Sequence, residues 1–554
     1  MNLIRPIELL AAAELLAISL VASAQAPQPT RADAEKDPVF KAMLTELDRS
    51  KTQLQLKDVA KPFFIQYRIE EMDNFETKAQ FGATTGSQHS RGRVARVTVR
   101  VGDYKTDSSG EKGDGAIQIE TLDDDPIALR TALWMATDQA YKNALAIYAQ
   151  KQAALKQVET PPQADDFSQE KPIIRLEEPI RLRLDEQAWE ARVARDSGLY
   201  RTDSTVKASQ RDVEYSLGSF TALVKTTWLV TSEGAIVRKS AADYQESFAV
   251  GTQAADGMSL ERSYATNGNA LKDLDSADAF AQHAVSLIAS LTDLRKAPLV
   301  EEEYHGPLLM SSDAAADTMH SLVAGAVTAT RPKLGTEART NGPFASSYHA
   351  RVLPEFLGVV DDPGLKSYDG KGLVGAFDVD DEGVPAQAVK LVVAGQLENY
   401  LLGREPVRDF PQSNGHGRAG ITGPPKPSIG VLQVTAKDGL TDQELNSRLL
   451  ESAGHRGLKN VYYVSTMGDK MAPRLLYRVG SDGKRELVRG AIFDDLDQRA
   501  LRADVVAAGK QLWVANYLGE IPETVLAPAL LFDDVTIRRA NKKNDKLPFY
   551  PPPE

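Results

Sequence analysis

Histidine carries most of the chemistry open to this chain, which has seven (His89, His283, His305, His320, His349, His416 and His455) and no cysteine. One of them, His320, is set in residues 311–328, SSDAAADTMHSLVAGAVT. An imidazole there could bind a metal or move a proton near neutral pH. Catalytic zinc needs three protein ligands, an open position for water and a carboxylate to take the water proton. A lone imidazole supplies one ligand, and the adjacent Ser321 is no general base. The plain reading of His320 is a helix-edge histidine hydrogen-bonded within the fold, so no catalytic residue and no metal ligand set is assigned. Asp378, Asp380, Asp381 and Glu382 form an acid-rich run without the spacing of a calcium loop. SNGHGRAG (413–420) is no dinucleotide fingerprint and reads as a structured loop, whose Asn414, His416 and Arg418 are candidate peptide-channel residues.

The elements that must position these groups are marked by caps and periodicity. In 311–328, Ala315, Met319, Leu322, Val323, Ala326 and Val327 recur at three- and four-residue steps, which predicts one short amphipathic helix with His320 at the edge of its apolar stripe. Ser311, Ser312 and Asp313 can cap its start. Asp37-Pro38 opens a helix through Phe40, Met43, Leu44 and Leu47; Pro126 opens a longer one over 126–157; and Phe280, Ala284, Leu287, Ile288 and Leu291 mark a third over 275–296, stopped by Pro298. KPFFIQYRIEE (61–71) and residues 96–101 read as strands, and Ser232-Glu233-Gly234 as the turn of a hairpin over 221–238. A second hairpin turns at Ala394-Gly395. Residues 27–37 read as a disordered lead-in, 159–172 as a linker or exposed loop, and KLPFYPPPE as an extended proline-rich tail.

With 554 residues, 42% hydrophobic and 26% charged, the chain has the make-up of a soluble protein of two to four domains. A net charge of −12 and the lack of a lysine- or arginine-rich face argue against a nucleic-acid binder. Arg5, an apolar run from Leu9 to Ala22, and small residues at Ala22-Ser23-Ala24 or Ala24-Gln25-Ala26 have the order of a signal peptide. The run is shorter than the roughly 20 residues a membrane-spanning helix needs. The expected localisation is therefore secreted or periplasmic, with a mature start near Gln25 or Pro27.

The strand His305-Gly306-Pro307-Leu308-Leu309-Met310, the helix that follows it, DDPGLKSYDGKGLVGAFDVDDEGVPAQ (361–387), AVKLVVAGQLENYLLG (388–403) and SNGHGRAG occur in this order. The ordered set resembles the TldD/PmbA family (modulators of DNA gyrase, zinc metallopeptidases), over roughly residues 60–540. Catalytic members of that family carry HExxxH on a helix after a GPxLL-type strand. Laid on His320, the motif puts Ser321 at the glutamate and Gly325 at the second histidine, so one of three groups survives. The active members' cysteine ligand near the C-terminus has no counterpart here. KPFFIQYRIEE resembles the first strand of secreted members.

The resemblance implies an α+β, two-domain TldD/PmbA-like fold: a signal peptide over 1–26, an N-terminal mixed helix and sheet domain over 27–300, a strand-rich metallopeptidase-like domain over 301–540, and a proline-rich tail over 541–554. It also implies the family's non-catalytic partner: a pseudo-peptidase without its own cofactor, paired with a homologous TldD-like subunit whose intact HExxxH binds zinc, and shaping a channel for extended peptides. One alternative is a peptidase whose His305, His320 and His349 converge on a rearranged metal site. Another is a solitary protein that pairs extended peptides with a sheet edge.

Overall fold

Two long antiparallel hairpins build the first sheet. Pro62–Gln80 pairs with Ala83–Val101 on one side and with Tyr215–Thr231 on the other. Tyr215–Thr231 then pairs with Ile236–Gln253, which turns back through Ser232-Glu233-Gly234, and Ser259–Gly268 continues the order. Short strands Gly115–Ile119 and Ile174–Leu176 add to the edges, giving seven strands drawn from residues 62–268. The structure is a computed structural model that describes residues 28–540 apart from 58, 111–114 and 302. The expected signal peptide and proline-rich tail therefore lie outside the described residues.

Strand alternation gives this sheet two unlike faces. Ile65, Tyr67, Ile69, Val97, Val99, Trp228 and Val230 point to one side and are buried with residues of helices Pro38–Gln53 and Pro126–Leu155. Both helices begin as their sequences require, with Asp37 and Asp125 accepting from the first free N–H groups ahead of a first-turn proline. Helix Ala277–Lys296 buries Phe280, Ala284, Leu287, Ile288 and Leu291, the residues its spacing singles out. The other face is polar and carries Arg68, Glu70, Lys225, Lys239 and Asp243, in register across three strands.

The second sheet has eleven strands, all from residues 303–539. Its axis is the strand Glu523–Arg539, whose residues from Val525 to Phe532 are all buried. At its start it runs parallel to Val431–Ala436; it pairs antiparallel with Val505–Tyr517 from Glu523 to Phe532, and further along with Glu303–Met310. Glu303–Met310 in turn runs parallel to Asn460–Met467. The helix bearing His320 leaves the end of Glu303–Met310 and packs on these strands, so the sheet sets its position.

The polar face of the first sheet meets loops of the second unit. Gln66 Nε2 donates to the Asp381 carbonyl (3.2 Å), and Arg68 Nη2 to those of Gly420 (2.9 Å) and Gly423 (2.8 Å). Lys239 Nζ lies 2.6 Å from Asp381 Oδ1. Arg404, 1% exposed, holds Glu233 through both ends of its guanidinium (2.7 and 2.9 Å) and lies over the Phe167 ring at 3.9 Å.

Three expectations are corrected. The lead-in is ordered from Arg31 to Ala34 as a helical turn with a Thr30/Asp33 capping box, and Arg31 pairs with Asp48 at 2.5 Å. Segment 159–172 is irregular but not simply exposed: Asp166, Phe167 and Ser168 are buried under Arg404 and Lys151. Residues 311–328 are not one α-helix; α-helix Ser312–Met319 passes into a π-helical turn, His320–Ala324.

Candidate functional site

Ser311 caps the site helix, its Oγ accepting from Ala314 N (3.0 Å) and donating to the Ser465 carbonyl (2.7 Å), which pins the helix start to the neighbouring strand. Nine residues on, His320 caps the end of the α-helical part. Its ring lies stacked on Tyr517, centroids 3.9 Å apart, and Nε2 is 2.8 Å from Glu523 Oε2. Tyr517 closes the group by donating to Asp317 Oδ1 (2.7 Å). Burial, joined by the charge of Asp317, pushes the Tyr517 hydroxyl far above its ordinary pKa, so it stays a donor. Burial also raises Asp317, and with the neighbouring Asp317 charge lifts Asp313 to about 6.

The π-helical turn bears on the motif positions. Along an α-helix, residues five apart diverge by about 140°, whereas a π turn closes its hydrogen bonds five residues on and brings such positions toward one face. Positions 320 and 325 thus keep a spacing suited to two ligands on one side. Ser321 and Gly325 are both exposed. A Cβ built on Gly325 would meet no atom within 4 Å, and its φ of −73° is open to any residue. The backbone would accept a histidine there; the sequence does not supply one.

The donors present do not complete a zinc site. His320 Nε2 is turned to Glu523, and Ser321 and Gly325 bring no imidazole or carboxylate. Nor do the three candidate histidines converge, since each has its own carboxylate: Glu303 for His305 (2.9 Å), Glu523 for His320, and Glu398 for His349 (2.9 Å). Among the described residues no group of three or more histidine, aspartate and glutamate side chains is placed to hold a metal.

The 413–420 loop is tied down from within. His416 is fully buried, with Nε2 3.1 Å from the equally buried Asp361 and Nδ1 3.0 Å from Asn414 oxygens. Asn414 accepts from Leu402 N and donates to the Tyr400 carbonyl, both at 2.8 Å. Arg418 donates to the Ile429 and Pro522 carbonyls and lies over Phe377. These contacts leave no face of His416 for a peptide; of the three, Arg418 is the one whose buried charge is felt with those of Asp381, Glu523, Asp361 and Asp243.

Asp243 belongs to the polar face of the first sheet. Asp243 and Lys225 are half-buried on adjacent strands, and neither side chain makes a hydrogen bond or a close ion pair among the described residues. Burial pushes the Asp243 carboxyl up to about 6, against the charges of Lys225 and Arg418. Sequence reasoning missed Tyr517, Glu523, Lys225 and Asp243. The last two carried a signal, as charged residues in otherwise strand-like runs; the first two carried none, because their meaning comes from the strand end on which they fall.

Residues 303–539 match the PmbA/TldA metallopeptidase C-terminal domain. Three solved structures share the fold of nearly the whole chain. TldE from Thermococcus kodakarensis has a TM-score of 0.60 at 14% identity, covering 90% of this chain and 99% of that one. A protein described as a candidate modulator of a DNA gyrase from Thermotoga maritima has a TM-score of 0.59 at 12% identity, covering 89% and 100%. Another so described, from Bacteroides thetaiotaomicron, has a TM-score of 0.59 at 13% identity, covering 90% and 98%. Comparison with curated protein sequences gives no match.

Proposed function

The chain is a member of the TldD/PmbA family, with that family's C-terminal domain at residues 303–539, and from this premise we propose that it is a non-catalytic subunit of a zinc metallopeptidase complex, shaping the channel that receives extended peptides. One observation carries the reading: the surviving motif histidine, His320, is held by Tyr517 and Glu523 rather than poised with other ligands, and Ser321 and Gly325 stand at the other two motif positions. A fold kept whole around a site without its chemistry suits a role in assembly or substrate passage. The likeness to TldE supports a homologous partner with intact HExxxH, and the signal-like N-terminus supports action in the periplasm or outside the cell.

Co-expression with such a homologue tests this. One complex is expected on size exclusion, cleaving an unstructured peptide. Cleavage should survive His320→Ala in this chain and vanish when the homologue's motif glutamate is replaced. Two separate peaks at micromolar concentration, with full activity in the homologue alone, would sink the subunit reading. A solitary peptide binder is then the better account, and the half-buried Lys225 and Asp243 on the polar sheet face favour it as second choice.

A further inference from the structure

Three loops meet around a recess of about 50 Å³: 161–164, 331–339 and 406–408. The second belongs to the chain that leaves the site helix, its Arg331 standing seven residues past Ala324, the last of the π turn. Arg331, Lys333, Arg339 and Arg408 line the recess, and among the described residues no carboxylate does, in a chain whose 77 acidic residues outnumber its 65 basic ones. Two of these cations are spent. Arg331 donates to Asp166 and to the Pro406 carbonyl (3.1 Å), and Arg339 donates twice to Asp409 Oδ2 (3.0 and 2.8 Å) while lying over the Tyr348 ring at 4.6 Å. Arg408 is less well met. Its Nη1 donates to Gln163 (2.8 Å), but Nη2 makes no hydrogen bond among the described residues, and the buried Nε lies 3.9 Å from the Asp409 oxygen that Arg339 already holds. Lys333 is exposed on a tight turn, in which Thr336 N donates to the Lys333 carbonyl (3.2 Å) and Gly335 takes φ +81°. Pro161, Pro162, Pro332 and Pro406 stiffen the walls, so little order has to be gained on binding.

We propose that this recess binds the carboxylate of a peptide, with Arg408 as the principal donor and Lys333 as a second positive charge. Size selects the anion. One water needs about 10–15 Å³, so a recess of this volume takes about three or four atoms, which suits the three heavy atoms of a carboxylate better than the five of a phosphate. The planar guanidinium of Arg408 matches a planar carboxylate in shape as well as in charge. Leu334 and Val407 give the walls apolar surface for the carbon chain that carries the group. The inference deepens the proposed function and rests on its reading of extended peptides as this chain's ligands. The recess is separate from the motif positions, since none of His320, Ser321 and Gly325 lines it. A peptide's C-terminal end and an acidic side chain bring the same group, and the choice of probe tells them apart.

Titration of the purified full chain with three short peptides, followed by saturation-transfer NMR, tests this. The probes are N-acetylated trialanine as the free acid, the same peptide as its amide, and an amide with glutamate as its central residue. The free acid is expected to bind roughly tenfold tighter than the plain amide, the difference that one charge-assisted hydrogen bond makes. Arg408→Gln should remove that preference while the circular dichroism spectrum and thermal midpoint stay those of the native chain. Ala338→Glu, at an exposed residue of the lining, should remove it with Arg408 intact, and it decides the matter where Arg408→Gln does not fold. Tight binding of the glutamate amide would assign the site to acidic side chains, and binding of the free acid alone would assign it to peptide ends; either upholds the carboxylate site. Equal affinity for the free acid and the plain amide, or a preference that survives both substitutions, overturns the proposal and leaves the proposed function standing. Failure of every probe to bind also overturns it, and the proposed function is then decided separately by co-expression with the homologue.

Discussion

The imidazole of His320 lies face to face with the ring of Tyr517, 3.9 Å between centroids and 12° between planes. Tyr517 is itself fixed by Asp317, and Glu523 holds the ring's outer nitrogen, so the imidazole has one preferred orientation and it is spent on protein partners. Purified protein is accordingly expected to hold far less than one zinc per chain by elemental analysis. Ser321→Glu alone should create no peptidase activity, since a base without a metal has no activated water to deprotonate. Gly325→His should behave differently: the position is open, the π turn sets it toward His320, and Glu523 is a third donor. Zinc binding detectable by calorimetry is expected in that variant, and its absence would show that the turn does not bring positions 320 and 325 together.

Arg404 should be a weak point for stability. Its guanidinium is buried between Glu233, the Ser168 carbonyl and Phe167, linking the 159–172 segment, the first sheet and the second unit. Arg404→Ala leaves the Glu233 carboxylate without its fork, a loss of about 3–5 kcal/mol by chemical denaturation. Arg404→Lys should recover only part of this, because an ammonium cannot hold both carboxylate oxygens while stacking on the ring. Near-native stability in Arg404→Lys would mean that charge alone suffices.

Glu120 gives a pH dependence with a definite sign. Both carboxylate oxygens are buried with no hydrogen-bond partner, and burial raises the group from 4.5 to about 8 against the pull of Arg93. The folded chain therefore holds this proton more tightly than the unfolded one, so its contribution to stability is fullest below about pH 4.5 and is lost as pH rises toward 8. Glu120→Gln keeps the neutral form at every pH. It should be more stable than the native chain at pH 8.5, with a flatter profile from pH 5 to 8. Equal profiles in urea titrations would show that Glu120 does not titrate in this window.

Export is testable by N-terminal sequencing. Protein recovered from the native envelope should begin near Gln25 or Pro27, after the Arg5, apolar and small-residue order. An intact Met1 on folded protein would remove the claim.

Much of this protein was legible in the sequence because it rests on neighbours. Asp37-Pro38 and Asp125-Pro126 start helices through bonds to the next two or three residues, and Phe280 to Leu291 mark a buried face through helical period alone. The occupants of the motif positions, His320, Ser321 and Gly325, could likewise be read directly. What surrounds them could not. Glu523 and Tyr517 lie about 200 residues away, and they reach His320 only because strands Glu523–Arg539, Val505–Tyr517 and Glu303–Met310 pair in one register, which brings two strand ends beside the helix. Local periodicity likewise gave no sign of the π turn or of the burial of His416 against Asp361. Caps and periods are set within a few residues of chain, whereas the environment of a side chain is set by which distant strands lie beside it, and that is decided only when the whole sheet forms.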